Sequence, residues 1–244
     1  MCGARIKEFL PGGEGHTVLI EKSVIGGGPR SNALCPICFA VDRERLIYLY
    51  LNNKRHLLAP GIRLLHMAPE PKLGAWLKAV PGLDYVTADF SMSYVDLRID
   101  LTKAPFRDAT FDGIICNHVL EHIPDDAQAM AELRRILRPA GWAILQVPIS
   151  SSLPSTYEDF SITDPKERER AFGQDDHVRI YARDYVDRLA DAGFSVSPFR
   201  WLDDKQNYGG AANRFGLIEQ EALFIASRPA DERRLTSALH PSRP

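Results

Sequence analysis

Between residues 62 and 227 short apolar runs alternate with amphipathic stretches: IRLLHM (62–67), DYVTAD (84–89), VDLRID (95–100), FDGIICN (111–117), WAILQVP (142–148), FSVSPF (194–199) and EALFIAS (221–227). Strand-length runs spaced by helical periods predict a parallel sheet flanked by helices. DDAQAMAELRRILRPAG (125–141) places Met130, Leu133 and Leu137 on one stripe, with Asp125 and Asp126 at the positive end and Pro139 and Gly141 as a stop. That is a helix. YARDYVDRLADAGF (181–194) predicts another, feeding the next strand. DRERLIYLYLNN (42–53) spaces Leu46, Ile47, Leu49 and Tyr50 helically behind an Asp N-cap, as a helix bridging the first forty residues to the rest. The expected fold is α/β: a doubly wound, mostly parallel seven-stranded sheet with a small N-terminal ribbon and a cap insertion.

The pattern breaks in three places. Residues 1–40 hold seven of the seventeen glycines and three of the four cysteines, so they have turn chemistry but too little apolar material for a core. We expect a Cys-containing, zinc-ribbon-like segment there and the main domain over 41–228. Residues 148–180, polar and densely charged, are expected to cap the open edge of the sheet. Residues 229–244 are expected to be a disordered tail.

Composition narrows the function. At 244 residues, 45% hydrophobic and 25% charged with a net charge of -2, the chain lacks the basic excess of a nucleic-acid binder. No apolar run approaches the roughly 18 residues that cross a bilayer, and MCGARIKEFL has no signal-peptide h-region. A cytoplasmic protein without membrane or nucleic-acid partners is expected. In a reducing compartment the close pair Cys35 and Cys38 reads as a metal or redox element.

In open α/β sheets ligands bind beyond the carboxyl ends of the strands. Asp89 closes the second run, about twenty residues after the first turn, where a carboxylate accepts ribose hydroxyls. Asp100 closes the third beside Leu101, a pairing suited to an adenine amino group and ring. Asn117 and His118 close the fourth. A single acid of this kind is equally a helix cap, but three polar strand ends in order predict a nucleotide-like ligand.

Residues 100–149, DLTKAPFRDATFDGIICNHVLEHIPDDAQAMAELRRILRPAGWAILQVPI, resemble the central block of class I S-adenosylmethionine-dependent methyltransferases of the type 11 kind. With the flanking strands the resemblance covers about 62–227. It implies a Rossmann-like fold, S-adenosylmethionine as cofactor, Asp89 at the ribose, Asp100 at the adenine, and Asn117 with His118 near the methionine moiety. The family's first motif is an acid followed by Gly-x-Gly-x-Gly. Here His66 stands at the acid, Ala68 at a glycine, and Pro69-Glu70-Pro71 completes the bend. Glu70 reads either as a partner for the ligand's cationic end or as a plain helix N-terminal acid. This APE form resembles a subset of the family, as does FGQDDHVRIY (172–181) in the cap.

Methyl transfer to oxygen gains from a general base, and His has the suitable pKa. His177 beside Asp176 is the candidate base and Arg179 a substrate anchor; the competing reading is a structural cluster pinning the cap. His122 is expected to be structural and Cys116 a core residue. Cys2, Cys35 and Cys38 are candidate zinc ligands with His16 as a possible fourth, against a metal-free vestigial ribbon. The sequence thus predicts a methyltransferase that O-methylates a polar small molecule or glycan. A non-catalytic binding module and an NAD-dependent reductase or epimerase are the rivals, the latter lacking its glycine fingerprint.

Overall fold

The computed structural model describes residues 1–230. The disordered tail expected over 229–244 falls, apart from its first two residues, outside the described residues. Seven strands form the central sheet: β1 (Arg63–Met67), β2 (Asp84–Asp89), β3 (Leu97–Arg98), β4 (Phe111–Asn117), β5 (Leu137–Gln146), β6 (Ser195–Arg200) and β7 (Ala222–Ser227). Their order is β6-β7-β5-β4-β1-β2-β3, with β7 antiparallel to both neighbours and the remaining pairs parallel. The order reverses between β1 and β4, so a crevice opens beyond their carboxyl ends.

Alternation along the strands divides the core. Leu65, Met67, Ile114, Cys116, Ala143 and Leu145 face one side, under helices α4 (Asp126–Ile136) and α6 (Tyr185–Asp191). Leu64, Ile115, Ile144 and Leu223 face the other, under α2 (Asp42–Asn53) and α3 (Pro71–Lys78). A side-chain period of two and burial on both faces explain the near-continuous apolar runs. Burial pushes the Cys116 thiol well up, as a core thiol should be.

Three local expectations change. Asp42 is not the N-cap of α2: Val41 is, and its N–H donates to Glu44, whose other oxygen accepts the Lys72 and Leu73 N–H groups opening α3. Asp42 instead pairs with Arg30. Helix α4 ends at Ile136, before Pro139, because Leu137 already enters β5 opposite Phe111. The third strand shrinks to two exposed edge residues, since Asp100 turns its carboxylate onto Thr102 to cap a 3-10 turn, Leu101–Lys103.

The first forty residues are stitched to the domain. Strand Leu10–Gly12 pairs with Arg30–Leu34, and Val24–Ile25 pairs with Ile149–Ser150 at the start of the cap. Buried Arg45 donates to the carbonyls of Asn32, Ala33, Ala40, Phe215 and Gly216. A planar five-donor fork clamps the segment in place. Helix α1 (Thr17–Glu21) packs Val18 and Leu19 against Phe172 of cap helix α5 (Pro165–Phe172) and Ile180.

Candidate functional site

The turn after β1 has to bring backbone close to a ligand without glycine. Ala68 does so by adopting the left-handed conformation, φ 46°, which costs a non-glycine residue roughly 1–2 kcal/mol. Its N–H donates to the Ala88 carbonyl, and Pro71 starts α3 at the position that suits proline. At the end of β4, His118 repeats the device with φ 53°. Strained backbone at two strand ends is typical of a ligand site.

A cleft of about 700 Å³ lies over these strand ends, lined by Ala68, Asp89, Asp100, Leu101, His118 and Asp176 among the residues expected from sequence. Asp89 holds one carboxylate oxygen with the Ser91 and Met92 N–H groups, at 2.6 and 2.7 Å, and its other oxygen meets no protein donor among the described residues. Hydrogen bonds from the Thr102 hydroxyl and N–H keep the Asp100 carboxyl below its ordinary range. Ile99, Val119 and Ile123 give the cleft apolar walls, and Phe90 stands 74% exposed in its lining. These residues adjoin the acidic strand ends, and only that adjacency marked them in the sequence.

His66, Glu70 and Asn117 do not line the cleft. His66 is fully buried, with Nδ1 2.9 Å from the Tyr85 hydroxyl and Nε2 3.0 Å from Glu70. Asn117 donates to the other Glu70 oxygen. Glu70 occupies the N-cap position of α3, as a helix N-terminal acid would, but its side chain does not cap the helix. The three buttress the first turn from beneath.

A second cavity of about 290 Å³ adjoins the cleft, with His118 and His122 in both linings. Its walls come from the glycine loops at 12–13 and 26–27, from Glu14, Arg30 and Arg43, and from Gln174 and His177 of the cap. Sequence reasoning treated the N-terminal segment as a metal ribbon and did not see it as a wall. Gly13 makes the loops possible: its φ is 100°, and a Cβ there would stand 2.1 Å from the Gly28 carbonyl oxygen.

The cap chemistry is rearranged. Asp176 pairs with His122, Oδ2 to Nδ1 at 3.1 Å, and not with His177. That carboxylate raises the His122 pKa against the burial that opposes it, whereas burial lowers His177 to about 4. Arg179 is no substrate anchor. It is 1% exposed, and its N–H groups are spent on Glu158 and the carbonyls of Leu120, Ile123 and Pro124, so it pins the cap to the turn after β4. In the ribbon, the sulfurs of Cys2, Cys35 and Cys38 lie within 4.8 Å of one another. His16 is elsewhere, facing Glu169 at 3.4 Å.

Residues 75–145 match the family model described as a methyltransferase domain. A curated relative, an uncharacterized 37.1 kDa protein in transposon TN4556 of Streptomyces fradiae, is 34% identical over 99 residues, 40% of this chain and 28% of the relative. Demethylmenaquinone methyltransferase of Mycobacterium sp. (strain KMS) is 22% identical over 141 residues, 53% of this chain and 61% of that protein. The match therefore spans less than two thirds of either relative. Among solved structures, the [4+2]-cyclase SpnF superposes with a TM-score of 0.54 at 16% identity, covering 77% of this chain and 82% of that one. That likeness is one of fold. No helix among the described residues is long and apolar enough to cross a membrane.

Proposed function

We propose, from the premise that this chain carries a methyltransferase domain on a class I S-adenosylmethionine methyltransferase fold, that it methylates an oxygen of a polar small molecule or glycan. The observation that carries the reading is two adjoining cavities of different character that share His118 and His122. S-adenosylmethionine supplies a methyl group already activated by its sulfonium charge. In the larger cleft Asp89 would hold the ribose hydroxyls, Asp100 the adenine amino group, and Leu101 and Ile99 the ring. Ala68 lets the first turn approach, while His66, Glu70 and Asn117 hold that turn from below.

The smaller cavity suits an acceptor of about monosaccharide size. Arg30, Arg43, Glu14 and Gln174 give it hydrogen-bonding walls, and His122 at the junction and His177 in the cavity wall would face the acceptor oxygen, with Asp176 orienting His122. Alignment across a junction closed from water is the main task, and positioning supplies up to about 7–11 kcal/mol in favourable cases. Isothermal titration should show binding of S-adenosylmethionine and S-adenosylhomocysteine and none of NAD; the reverse would overturn the reading. Transfer of labelled methyl from S-adenosylmethionine to a panel of polyhydroxylated acceptors then tests the substrate class.

Cys2, Cys35 and Cys38 supply three thiolates toward one structural zinc, supported by their convergence. Elemental analysis of the wild-type and Cys35→Ser chains should differ by about one zinc per chain, with wild-type thermal stability lost on chelation. Equal zinc in the two chains and no chelation effect would favour a vestigial ribbon. A cytoplasmic setting, which keeps such thiols reduced, fits four free cysteines.

A further inference from the structure

Glu121 is the least satisfied charged group among the described residues. It sits in the 3-10 turn Leu120–His122 after β4, is 1% exposed, and lines the smaller cavity, yet neither carboxylate oxygen accepts a hydrogen bond. His118 Nδ1 is 3.4 Å from Oε1 but makes no hydrogen bond to it. A buried carboxylate without partners is costly, so such a group either holds a proton or is compensated by a cation.

The fold brings two imidazoles to it. One ligand atom from each of Glu121, His122 and His177 lies within 4.8 Å of the other two. His122 comes from the same turn and His177 from the cap, with ring centroids 4.6 Å apart at 82°. The His122 ring is held by an outer partner: its Nδ1 faces Asp176 at 3.1 Å, which leaves Nε2 free. His177 is 5% exposed on the cap side. An imidazole fixed through one nitrogen by a carboxylate or carbonyl and offering the other is the usual outer shell of a metal-bound histidine. One carboxylate and two imidazoles, with cavity space alongside, form a three-ligand set with open positions.

We propose that Glu121, His122 and His177 bind one divalent ion of the borderline transition-metal class, zinc being the type, with an open position toward the smaller cavity. The mixed nitrogen and oxygen donors favour such an ion over magnesium or calcium. The ion compensates the Glu121 carboxylate, and its open position takes an oxygen of whatever occupies the cavity. This site differs from the all-sulfur cluster in the ribbon, and its binding is independent of the methyl donor.

Cobalt(II) titrated into the full chain without S-adenosylmethionine separates the two sites, because thiolate ligands give charge-transfer absorption and a nitrogen and oxygen shell gives only the visible d–d bands. We expect uptake of about one thiolate-free cobalt per chain, weakened more than about tenfold in Glu121→Gln and in His177→Gln and unchanged in Cys35→Ser. If a variant fails to fold, as judged by its melting curve, X-ray absorption of the cobalt-loaded wild-type chain reads the same shell and should show imidazole scattering beside the sulfur contribution. A folded wild-type chain that takes up no thiolate-free cobalt, or uptake indifferent to both folded variants, overturns the proposal and leaves Glu121 a metal-free buried acid. Neither result bears on S-adenosylmethionine binding, which titration of the donor tests separately.

Discussion

The two cavities meet at His118 and His122 but are built in different ways. The larger cleft takes its lining from the ends of β1, β2, β3 and β4 and the turns that follow them, all between residues 67 and 125, with Asp176 as the one distant contributor. The smaller is assembled from residues 12–43, 118–122, 148 and 174–177, held together by the Arg45 clamp, the pairing of Val24–Ile25 with Ile149–Ser150, and Arg179. The first is a property of the sheet; the second exists only when the N-terminal segment and the cap are both docked. Donor binding and acceptor binding should therefore be separable by substitution.

His177→Ala is the strongest test of that separation. Turnover should fall roughly a hundredfold or more with S-adenosylmethionine affinity near wild type. A parallel loss of donor affinity would show that the cavities are one unit. Asp89→Ala is the complement, weakening S-adenosylmethionine by more than about tenfold, since hydrogen bonds to a charged group contribute roughly 1.5–3 kcal/mol each. Unchanged affinity by calorimetry would remove Asp89 from the site.

Gly13→Ala addresses the docked segment. A side chain at φ 100° and 2.1 Å from the Gly28 oxygen forces the two glycine loops apart. The acceptor KM should rise several-fold while donor affinity holds, and an unchanged KM would show that the loops do not form the acceptor wall.

The smallest effect concerns Glu221, at the start of the loop-to-β7 transition beneath the docked segment. Burial pushes its carboxyl up to about 7, with Asp42 adding to the rise and Arg43, Arg30 and Gln146 opposing it. The folded chain then keeps a proton that the unfolded chain releases near 4.5, so this group's effect lowers stability as pH rises from about 4.5 to 7. Glu221→Gln should raise the melting temperature at pH 8 by about 2–4 °C, the equivalent of about 1 kcal/mol at this size, with the gain vanishing toward pH 4.5. A gain independent of pH would assign the effect to packing.

Much of the larger cleft was legible in the chain. Strand alternation, the acids Asp89 and Asp100 and the block around Leu120-Glu121-His122 are local signals, because a strand end and the turn after it are neighbours in sequence as well as in space. Locality is incomplete at Glu70: its position reads as the start of a helix and is one, while its side chain turns inward to His66 and Asn117, a contact spanning 47 residues to β4. Arg179 reads as an anchor in a polar segment, and only packing shows its fork closed on carbonyls 55 to 59 residues away.

By itself the sequence determined the α/β class, the seven strands and the acidic rim of the larger cleft, since period-two and period-3.6 patterns encode which face is buried. Only the tertiary structure decided that Asp176 belongs to His122, that the N-terminal glycine loops wall a second cavity, and that Glu121 lies buried beside two histidines. Those partners are chosen by docking of distant segments, and the choice depends on burial and hydrogen bonding summed over the whole interface, which no local pattern records.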